Sequence, residues 1–311
     1  MPFAISMRRL MSVIALALTV AAPGAAQAGT YAQTKYPIVL VHGFLGFSSV
    51  LDISYFYGVA NRLRNDGAKV YVAELNPAQS NEYRGEQLLQ QLQQWAARDG
   101  VKKFNLIAHS QGGPTSRYVA AVAPGLVASI GTVSATHFGS KTADYYIAHI
   151  GSTWANNVAI DIANVLNAIY NGSSASASPT DLNAALASLS TAGMNTFNSK
   201  YPQGKPTTTC GQGPATVNGV SYYSTAGAKV LTNVLDVSDA LFALTTQPFG
   251  SEANDGVVAK CSAHWGTVLK DNYPWNHLDE INQVLGLRGA FTPDPVAFYD
   301  SLANRLKNQG L

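Results

Sequence analysis

The stretch "KFNLIAHSQGGPTSRYVAAV", residues 103–122, constrains the fold more than any other part of the chain. An apolar run typical of a buried strand leads into a Ser-Gln-Gly-Gly turn, and a helix-like segment follows at once. At such a corner the two backbones nearly touch, so the residues two positions either side of the central one must be small. Ala108 and Gly112 hold those positions around Ser110, although glycine is usual at the first of them. The pattern predicts a strained Ser110 whose side chain is exposed at the top of the sheet; the alternative is an ordinary turn serine.

A serine hydroxyl is a weak nucleophile unless a base takes its proton and a carboxylate orients that base. Of the six histidines, His277 comes last in the chain, which is where hydrolases with this corner place the base. We interpret the remaining histidines as structural or as members of polar networks: His42, His109, His137, His149 and His264.

Asp255 is the candidate for the orienting carboxylate, because it lies in a polar, glycine-bounded loop between Ser110 and His277. Sequence order alone leaves competing acids open: Asp236, Asp239, Asp271 and, more weakly, Glu252.

The stretch "YPIVLVHGFLGF", residues 36–47, ends a predicted strand in His-Gly. A backbone turn at that point would bring the N–H of Phe44 to face the serine. The start of the helix after Ser110 supplies further N–H groups, so both segments could stabilise an oxyanion that forms beside the serine.

Strand-like and helix-like segments alternate through the first half of the chain. The predicted strands are 36–43, 68–75, 103–110 and 129–136, and the predicted helices are 84–98 and 113–122. Such alternation favours a mostly parallel central sheet flanked by helices, an α/β fold. Further strands are predicted at 219–227 and 255–261, then loops, and a last helix near 295–307.

From about residue 140 to 195 the alternation breaks. Residues 155–170 have the spacing of an amphipathic helix, residues 171–179 form a flexible polar stretch, and a second helix runs to about 191. One interpretation is an ordinary covering helix; the other is a mobile helical lid over an apolar pocket.

The first 28 residues have the layout of a secretory signal peptide. Arg8 and Arg9 precede an apolar run, and Ala26-Gln27-Ala28 follows as a small-x-small cleavage pattern. The run is shorter than the ~20 residues that a membrane-spanning helix needs, although a retained anchor is the alternative. We expect a mature chain, residues 29–311, that forms one domain.

The composition excludes several other roles. The formal net charge is +2 and no Lys/Arg cluster occurs, so nucleic-acid binding is not expected. No later apolar stretch reaches the length of a transmembrane helix, so none is expected in the mature chain. Cys210 and Cys261 are most simply one disulfide in an exported protein, with free buried thiols or metal ligation as alternatives.

Nearly the whole mature chain resembles a known family, the secreted bacterial true lipases of the foldase-dependent group, which are α/β-hydrolases acting on triacylglycerols. The resembling stretches are "YPIVLVHGFLGF", "YRGEQLLQQLQQW", "HSQGGPTSRYVAAV", "KYPQGKPT", "NGVSYYS", "ANDGVV" and "NHLDEINQVLGL". The region 140–195 and Ala108 depart from the family pattern.

The resemblance implies roles for matching residues. It implies Ser110 as nucleophile, Asp255 as acid and His277 as base, with the backbone N–H groups of Phe44 and Gln111 as the oxyanion hole. It also implies a Cys210–Cys261 disulfide.

The resemblance further implies a structural calcium ion beside the histidine loop. The matching ligands are two carboxylates and two main-chain carbonyls: Asp236, Asp279, Gln283 and Leu287. Oxygen ligands of this kind suit Ca²⁺, whereas the alternative is that both acids are solvated loop residues. The resemblance also implies a lipase-specific foldase partner and export through the periplasm by the type II route.

The expected function is therefore that of a secreted, extracellular triacylglycerol lipase that uses a Ser-His-Asp acyl-enzyme mechanism and needs no organic cofactor. The alternatives are a short-chain carboxylesterase or a polyester depolymerase with the same triad. A non-catalytic lipid-binding protein with this fold is a further alternative.

Overall fold

The computed structural model describes residues 29–50, 53–172, 180–233 and 235–311. The predicted signal peptide (1–28) and residues 173–179 of the predicted flexible stretch lie outside the described residues. The strands are β1 (Ile38–Val41), β2 (Ser49–Val50), β3 (Ile53–Ser54), β4 (Val70–Val72), β5 (Phe104–His109), β6 (Val127–Val133), β7 (Thr216–Val217), β8 (Val220–Gly227) and β9 (Thr267–Tyr273). The helices are α1 (Val59–Asn65), α2 (Asn81–Asp99), α3 (Gly112–Val122), α4 (Lys141–Ala148), α5 (Thr153–Gly172), α6 (Leu182–Leu189), α7 (Thr191–Lys200), α8 (Val237–Thr245) and α9 (Pro295–Asn308).

The central sheet is mostly parallel. Strands β4, β1, β5, β6 and β8 pair in that order and all run parallel. Strand β9 pairs parallel with β8, and the short β7 pairs antiparallel with β8. Every residue of β1, β5 and β6 is buried, as parallel strands covered on both faces require. The predicted α/β fold with helices flanking a mostly parallel sheet is confirmed.

Apolar side chains form two clusters, one on each face of the sheet. Ile38 and Leu40 of β1 belong to one cluster, and Val39 and Val41 belong to the other, because successive strand residues point to opposite faces. Helices α1 and α9 complete the first cluster, and α2 and α3 complete the second.

Helix α2 begins and ends where its sequence predicts. Ser80 Oγ accepts a hydrogen bond from the Tyr83 N–H at 3.3 Å, which caps the first turn. Gly100 ends the helix in the left-handed region at φ 65°, which glycine adopts without strain.

The strand predicted at 255–261 is wrong. Asp255 Oδ1 accepts the N–H groups of Val257 and Val258 at 2.9 and 2.7 Å, so the side chain satisfies backbone groups that a strand would have paired. A 3₁₀ turn, Lys260–Ala263, then follows. The last strand is instead β9, which lies in the region predicted as loops. It carries polar residues at 270–272, as an edge strand with half-buried and exposed positions can.

The region 140–195 is helical, as predicted. It contains α4, α5 and α6 and the start of α7, and Ala143, Leu186 and Leu189 form a small apolar cluster there. The side chain of Phe44, from the turn after β1, packs against this cluster. That the region acts as a mobile lid stays a prediction. Across the described ranges, no helix combines the length and apolarity that crossing a membrane requires.

Candidate active site

Ser110 lies at the corner between β5 and α3 in a backbone conformation that few serines adopt. Its φ is 54°, and its N–H donates to the Val133 carbonyl at 3.0 Å, which holds the corner to β6. A Cβ on Gly112 would overlap the Val41 carbonyl oxygen, so the corner requires glycine there. Ala108, two residues before the serine, is fully buried between β1 and β6, and its methyl group is accommodated.

His277 and Asp255 form a buried pair. The Nδ1 atom of His277 lies 2.7 Å from Asp255 Oδ2, and the His277 N–H donates to the Asp255 carbonyl at 2.9 Å. Asp255 is fully buried, and its other carboxylate oxygen accepts the two valine N–H groups described above. Since Nδ1 is occupied by the carboxylate, Nε2 is the ring nitrogen left to exchange a proton with another group.

Within the described residues no hydrogen bond joins Ser110 to His277, but His277 contacts the residue that precedes the serine. The rings of His277 and His109, the residue before the serine, have centroids 4.4 Å apart. Ser110 Oγ also makes no other hydrogen bond there, and the residue is only 5% exposed, so it is buried rather than exposed as the sequence predicted. Hydrogen bonds between a nucleophile and its base often form only when substrate is bound, so this geometry suits the predicted roles.

The competing acids have other partners. Asp271 lies 3.1 Å from His264, and Glu252 forms a salt bridge with Lys141 at 2.5 Å. Asp239 accepts the Asn276 amide at 3.0 Å, and Asp236 caps α8. Of the acids considered, Asp255 is thus the one that the structure pairs with His277.

The remaining histidines also have partners of their own. His137 lies 3.3 Å from Arg117, and His149 is exposed and stacks on Tyr145. His42 is fully buried under the turn that follows β1.

The two predicted oxyanion donors are Gln111, the residue after the serine, and Phe44, the residue after Gly43. Gly43 packs so close to Ser110 that a Cβ on the glycine would be 2.6 Å from the serine Cβ. In the part of the chain that the structure describes, the N–H groups of Phe44 and Gln111 donate to no protein acceptor. Backbone N–H groups in folded proteins are rarely left unpaired, so two unpaired groups beside a nucleophile are available to a ligand oxygen.

Sequence reasoning missed Glu280, a fully buried carboxylate beside the pair. Glu280 Oε2 lies 3.1 Å from His109 Nε2 and 3.9 Å from His277 Nδ1. Its other oxygen accepts the Ser134 hydroxyl at 2.5 Å and the Gly227 N–H at 2.8 Å. Burial, together with the charge of Asp255, raises the pKa of Glu280 well above its usual range. The position of Glu280, three residues after His277, can be read from the sequence, but nothing in the sequence indicates that Glu280 is buried.

Tyr55 was missed as well. Its hydroxyl accepts the Gly43 N–H at 3.3 Å and lies 2.7 Å from His109 Nδ1. The other ring nitrogen of His109, Nε2, lies 3.1 Å from Glu280 Oε2, so the ring has a partner at both nitrogens. Burial, with the nearby His277, lowers the pKa of His109 well below its usual range, so this ring stays neutral.

Among the residues that the structure describes, one group of His and acidic side chains has atoms close enough to hold a metal ion. Ligand atoms of His109, His277 and Glu280 lie within 4.8 Å of one another. Their hydrogen bonds to Tyr55 and Asp255 already explain this arrangement, so it does not require a metal.

The predicted calcium ligands include two carboxylates with unpaired oxygens. Asp236 Oδ1 accepts the N–H and hydroxyl of Ser238 at 2.8 and 2.7 Å, whereas its Oδ2 is buried without a partner in the described chain. Asp279 Oδ1 is buried and unpaired in the same way. Burial raises the pKa of Asp279 to about 6, and the charges of Asp236 and Asp239 add to this. Two orphaned carboxylate oxygens fit a hard divalent cation.

The two predicted carbonyl ligands lie in the loop after the 3₁₀ turn Asp279–Ile281. The side chain of Gln283 donates to the Ser54 carbonyl at 2.7 Å, and Leu287 is 39% exposed. Both residues follow Asp279 by fewer than ten positions.

Cys210 and Cys261 form a disulfide, with Cα atoms 4.5 Å apart. Cys261 belongs to the 3₁₀ turn Lys260–Ala263, which begins five residues after Asp255. The disulfide therefore ties the segment after the acid loop to the loop that precedes β7.

Known proteins share both the sequence and the fold. A family model described as "alpha/beta hydrolase fold" matches residues 36–280. The chain is 49% identical over 283 residues to a triacylglycerol lipase of Vibrio cholerae serotype O1, with 90% of each chain covered. It is 41% identical over 337 residues to a triacylglycerol lipase of Burkholderia plantarii, with 96% of this chain and 93% of the relative covered.

Among solved structures, the Staphylococcus hyicus lipase has a TM-score of 0.62 and 19% identity, and covers 91% of this chain and 97% of its own. At that identity the likeness shows the fold alone. The family model spans most of the chain, and the curated relatives match it nearly end to end. This chain therefore belongs to the alpha/beta hydrolase family and, within it, to the bacterial triacylglycerol lipases.

Proposed function

We propose that this chain is a triacylglycerol lipase that hydrolyses ester bonds through Ser110, His277 and Asp255. The observation that carries the proposal is the buried His277–Asp255 pair at 2.7 Å beside a serine held at positive φ. The relatives named above, which match nearly the full chain, supply the substrate class.

In the proposed reaction, Ser110 Oγ attacks the ester carbonyl carbon while His277 Nε2 takes the hydroxyl proton. The N–H groups of Phe44 and Gln111 bind the oxyanion of the tetrahedral intermediate, and Asp255 stabilises the imidazolium. The proton then passes to the departing alcohol, which leaves an acyl-serine. Water, deprotonated by His277, attacks the acyl group, and the fatty acid leaves as Ser110 regains its proton.

Replacing Ser110 with alanine tests the nucleophile. We expect Ser110→Ala to lower the hydrolysis of a triacylglycerol emulsion by about 10⁶-fold, because the covalent step is lost. Ser116→Ala is the matched control: Ser116 Oγ, also in this segment, is buried without a hydrogen-bond partner in the described chain. Release of fatty acid is measured by titration, and turnover by folded Ser110→Ala would contradict the proposal.

The range of acyl chain lengths that the enzyme hydrolyses distinguishes a lipase from a short-chain esterase. We expect hydrolysis of long-chain triacylglycerol emulsions as well as of tributyrin. A folded, active protein that hydrolyses only tributyrin would identify a short-chain carboxylesterase that uses the same residues.

We propose that a structural Ca²⁺ ion is held by the carboxylates of Asp236 and Asp279 and the carbonyls of Gln283 and Leu287. The two unpaired carboxylate oxygens support this. When bound, the ion would supply charge compensation and rigidity to the loop that carries His277. It would take no part in proton transfer.

We further propose that residues 1–28 are a signal peptide, that the mature enzyme is extracellular after passage through the periplasm, and that a lipase-specific foldase assists its folding. The charged, apolar and small-residue order of 1–28 supports the first point. Mass spectrometry of the exported protein should find Gly29 at the N-terminus. Coexpression with the foldase should raise the fraction of protein labelled by an organophosphate.

A further inference from the structure

The imidazole of His42 lies fully buried under the turn that carries the proposed oxyanion donor Phe44. The Leu75 N–H donates to His42 Nε2 at 3.1 Å, so this nitrogen must be unprotonated. A neutral imidazole then carries its proton on Nδ1, which lies 3.0 Å from the Gly43 carbonyl oxygen and donates to it. The contacts of the ring therefore determine its tautomer.

Arg84 also approaches the ring without changing this assignment. Its Nη2 lies 3.4 Å from His42 Nδ1 but only 2.6 Å from the His42 carbonyl oxygen, which is its hydrogen-bond acceptor. Burial, together with the positive charge of Arg84, lowers the pKa of His42 to about 3. The ring is therefore neutral at every pH at which an esterase would be assayed.

The Gly43 carbonyl and the Phe44 N–H belong to the same peptide unit. Because that unit is planar and trans, fixing the direction of its carbonyl fixes the opposite direction for its N–H. Two donors hold the carbonyl: His42 Nδ1–H and the Gly46 N–H, the latter at 3.2 Å. A Cβ on Gly46 would overlap His42 Nδ1, so glycine at this position leaves room for the ring.

The preceding peptide unit is held at both ends too. Arg84 Nη2 donates to the His42 carbonyl at 2.6 Å, and the Gly43 N–H donates to the Tyr55 hydroxyl at 3.3 Å. With this unit fixed by Arg84 and Tyr55, the orientation of the next unit depends on the two donors to the Gly43 carbonyl, of which the His42 ring is the side-chain donor. The turn lies against Ser110, so its orientation decides what the Phe44 N–H can reach.

We propose that His42 is a positioning residue for ester hydrolysis, whose Nδ1–H holds the Gly43 carbonyl and thereby aims the Phe44 N–H at the oxyanion. The inference rests on the proposed function, in which Ser110 is acylated beside that N–H. It assigns His42 no contact with substrate and no proton transfer.

Two substitutions of His42 test separately the hydrogen bonds made by its two ring nitrogens. In His42→Asn the amide nitrogen can take the place of Nδ1 and donate to Gly43, whereas the Leu75 N–H loses its acceptor. In His42→Gln the amide reaches toward Leu75 and leaves the Gly43 carbonyl without its side-chain donor. We expect kcat for a soluble ester within about 3-fold of wild type for His42→Asn and a loss of about 10- to 100-fold for His42→Gln, with KM unchanged in both.

His264→Asn is the control for general damage to a buried histidine. The Nδ1 atom of His264 also lies near a backbone carbonyl, that of Gly211 at 3.2 Å, in a loop next to the disulfide. We expect its kcat, normalised to organophosphate-titrated sites, to match wild type. Equal kcat in His42→Asn and His42→Gln, or a matching loss in His264→Asn, would overturn the inference.

A measurement on the wild-type protein does not depend on whether the variants fold. The ¹⁵N shifts of the His42 ring should show a neutral imidazole protonated at Nδ1 throughout pH 5–9. A proton on Nε2 would overturn the inference whatever the kinetics. If wild type neither hydrolyses esters nor reacts with an organophosphate, the proposed function fails, and the ring shifts still report whether the Nδ1–Gly43 bond exists.

Discussion

At the scale of single residues, two glycines with different surroundings show how tightly the corner at Ser110 is packed. A Cβ at Gly112 would overlap the Val41 carbonyl oxygen, whereas a Cβ at Gly125 would meet nothing within 4 Å. We expect Gly112→Ala to destabilise the fold by about 1–3 kcal/mol, because the helix must move from the sheet. Gly125→Ala should be neutral or stabilise by up to about 1 kcal/mol. Thermal unfolding checks both, and equal melting temperatures would contradict the packing argument.

The buried His42 makes a prediction about acid stability. Its pKa is lowered to about 3 in the folded protein, so between roughly pH 6.5 and 3 the unfolded chain binds a proton that the folded chain does not. Stability is therefore lost as the pH falls through this window, by up to about 1.4 kcal/mol per pH unit. His42→Asn lacks this titration. The gap in melting temperature between wild type and His42→Asn should narrow from pH 7.5 to pH 4.5; a constant gap would count against the pKa shift.

At the scale of elements, the sequence predicted those whose stability comes from their own residues. The buried apolar runs of β1, β5 and β6 and the capped helix α2 lie where the pattern placed them. The segment 255–261 has a similar apolar sequence, but the Asp255 side chain accepts the N–H groups of Val257 and Val258, which a strand would have paired. Strand β9 is held by pairing with β8, a long-range contact with no local signal.

The loops that meet at the proposed calcium site make a prediction at the same scale. We expect EDTA to lower the melting temperature and calcium to restore it, by about 2.7 kcal/mol at a free concentration one hundred times Kd. Asp279→Asn should abolish the response. Asp239→Asn is the matched control, since both carboxylate oxygens of Asp239 accept protein hydrogen bonds. Asp239→Asn should lower the melting temperature but keep its response to EDTA and calcium. A wild-type melting temperature that changes with neither EDTA nor calcium would exclude the site.

At the scale of the whole molecule, the disulfide joins two positions that are 51 apart in the sequence. Replacing both cysteines with serine should destabilise the fold by up to about 4 kcal/mol, because the unfolded chain regains the entropy of the open loop. Comparing the melting temperatures of wild type and the double variant measures the effect. No change would mean that the segment after Asp255 is held by other contacts.

Long-range arrangement also explains which parts of the site could be predicted. The sequence nominates Ser110, Asp255 and His277, because hydrolysis demands those residue types in a recognisable order. The roles of Tyr55, Arg84 and Glu280 depend on burial and on partners far along the chain. Glu280 and His109, for instance, are 171 positions apart. Such contacts cannot be predicted from the composition or the periodicity of the sequence.

The segment from Asn276 to Gln283 concentrates unrelated tasks in eight consecutive positions. Asn276 Oδ1 accepts the N–H groups of Leu278 and Asp279, so it shapes the turn that presents the neighbouring histidine. The same segment carries Glu280 and two of the four proposed metal ligands, Asp279 and Gln283. Adding or deleting one residue here would shift all of these groups out of register together. Homologous chains should therefore differ in length at the surface loops and have no insertions or deletions in this stretch. Its constant length makes it a reliable anchor for aligning the sequences of distant relatives.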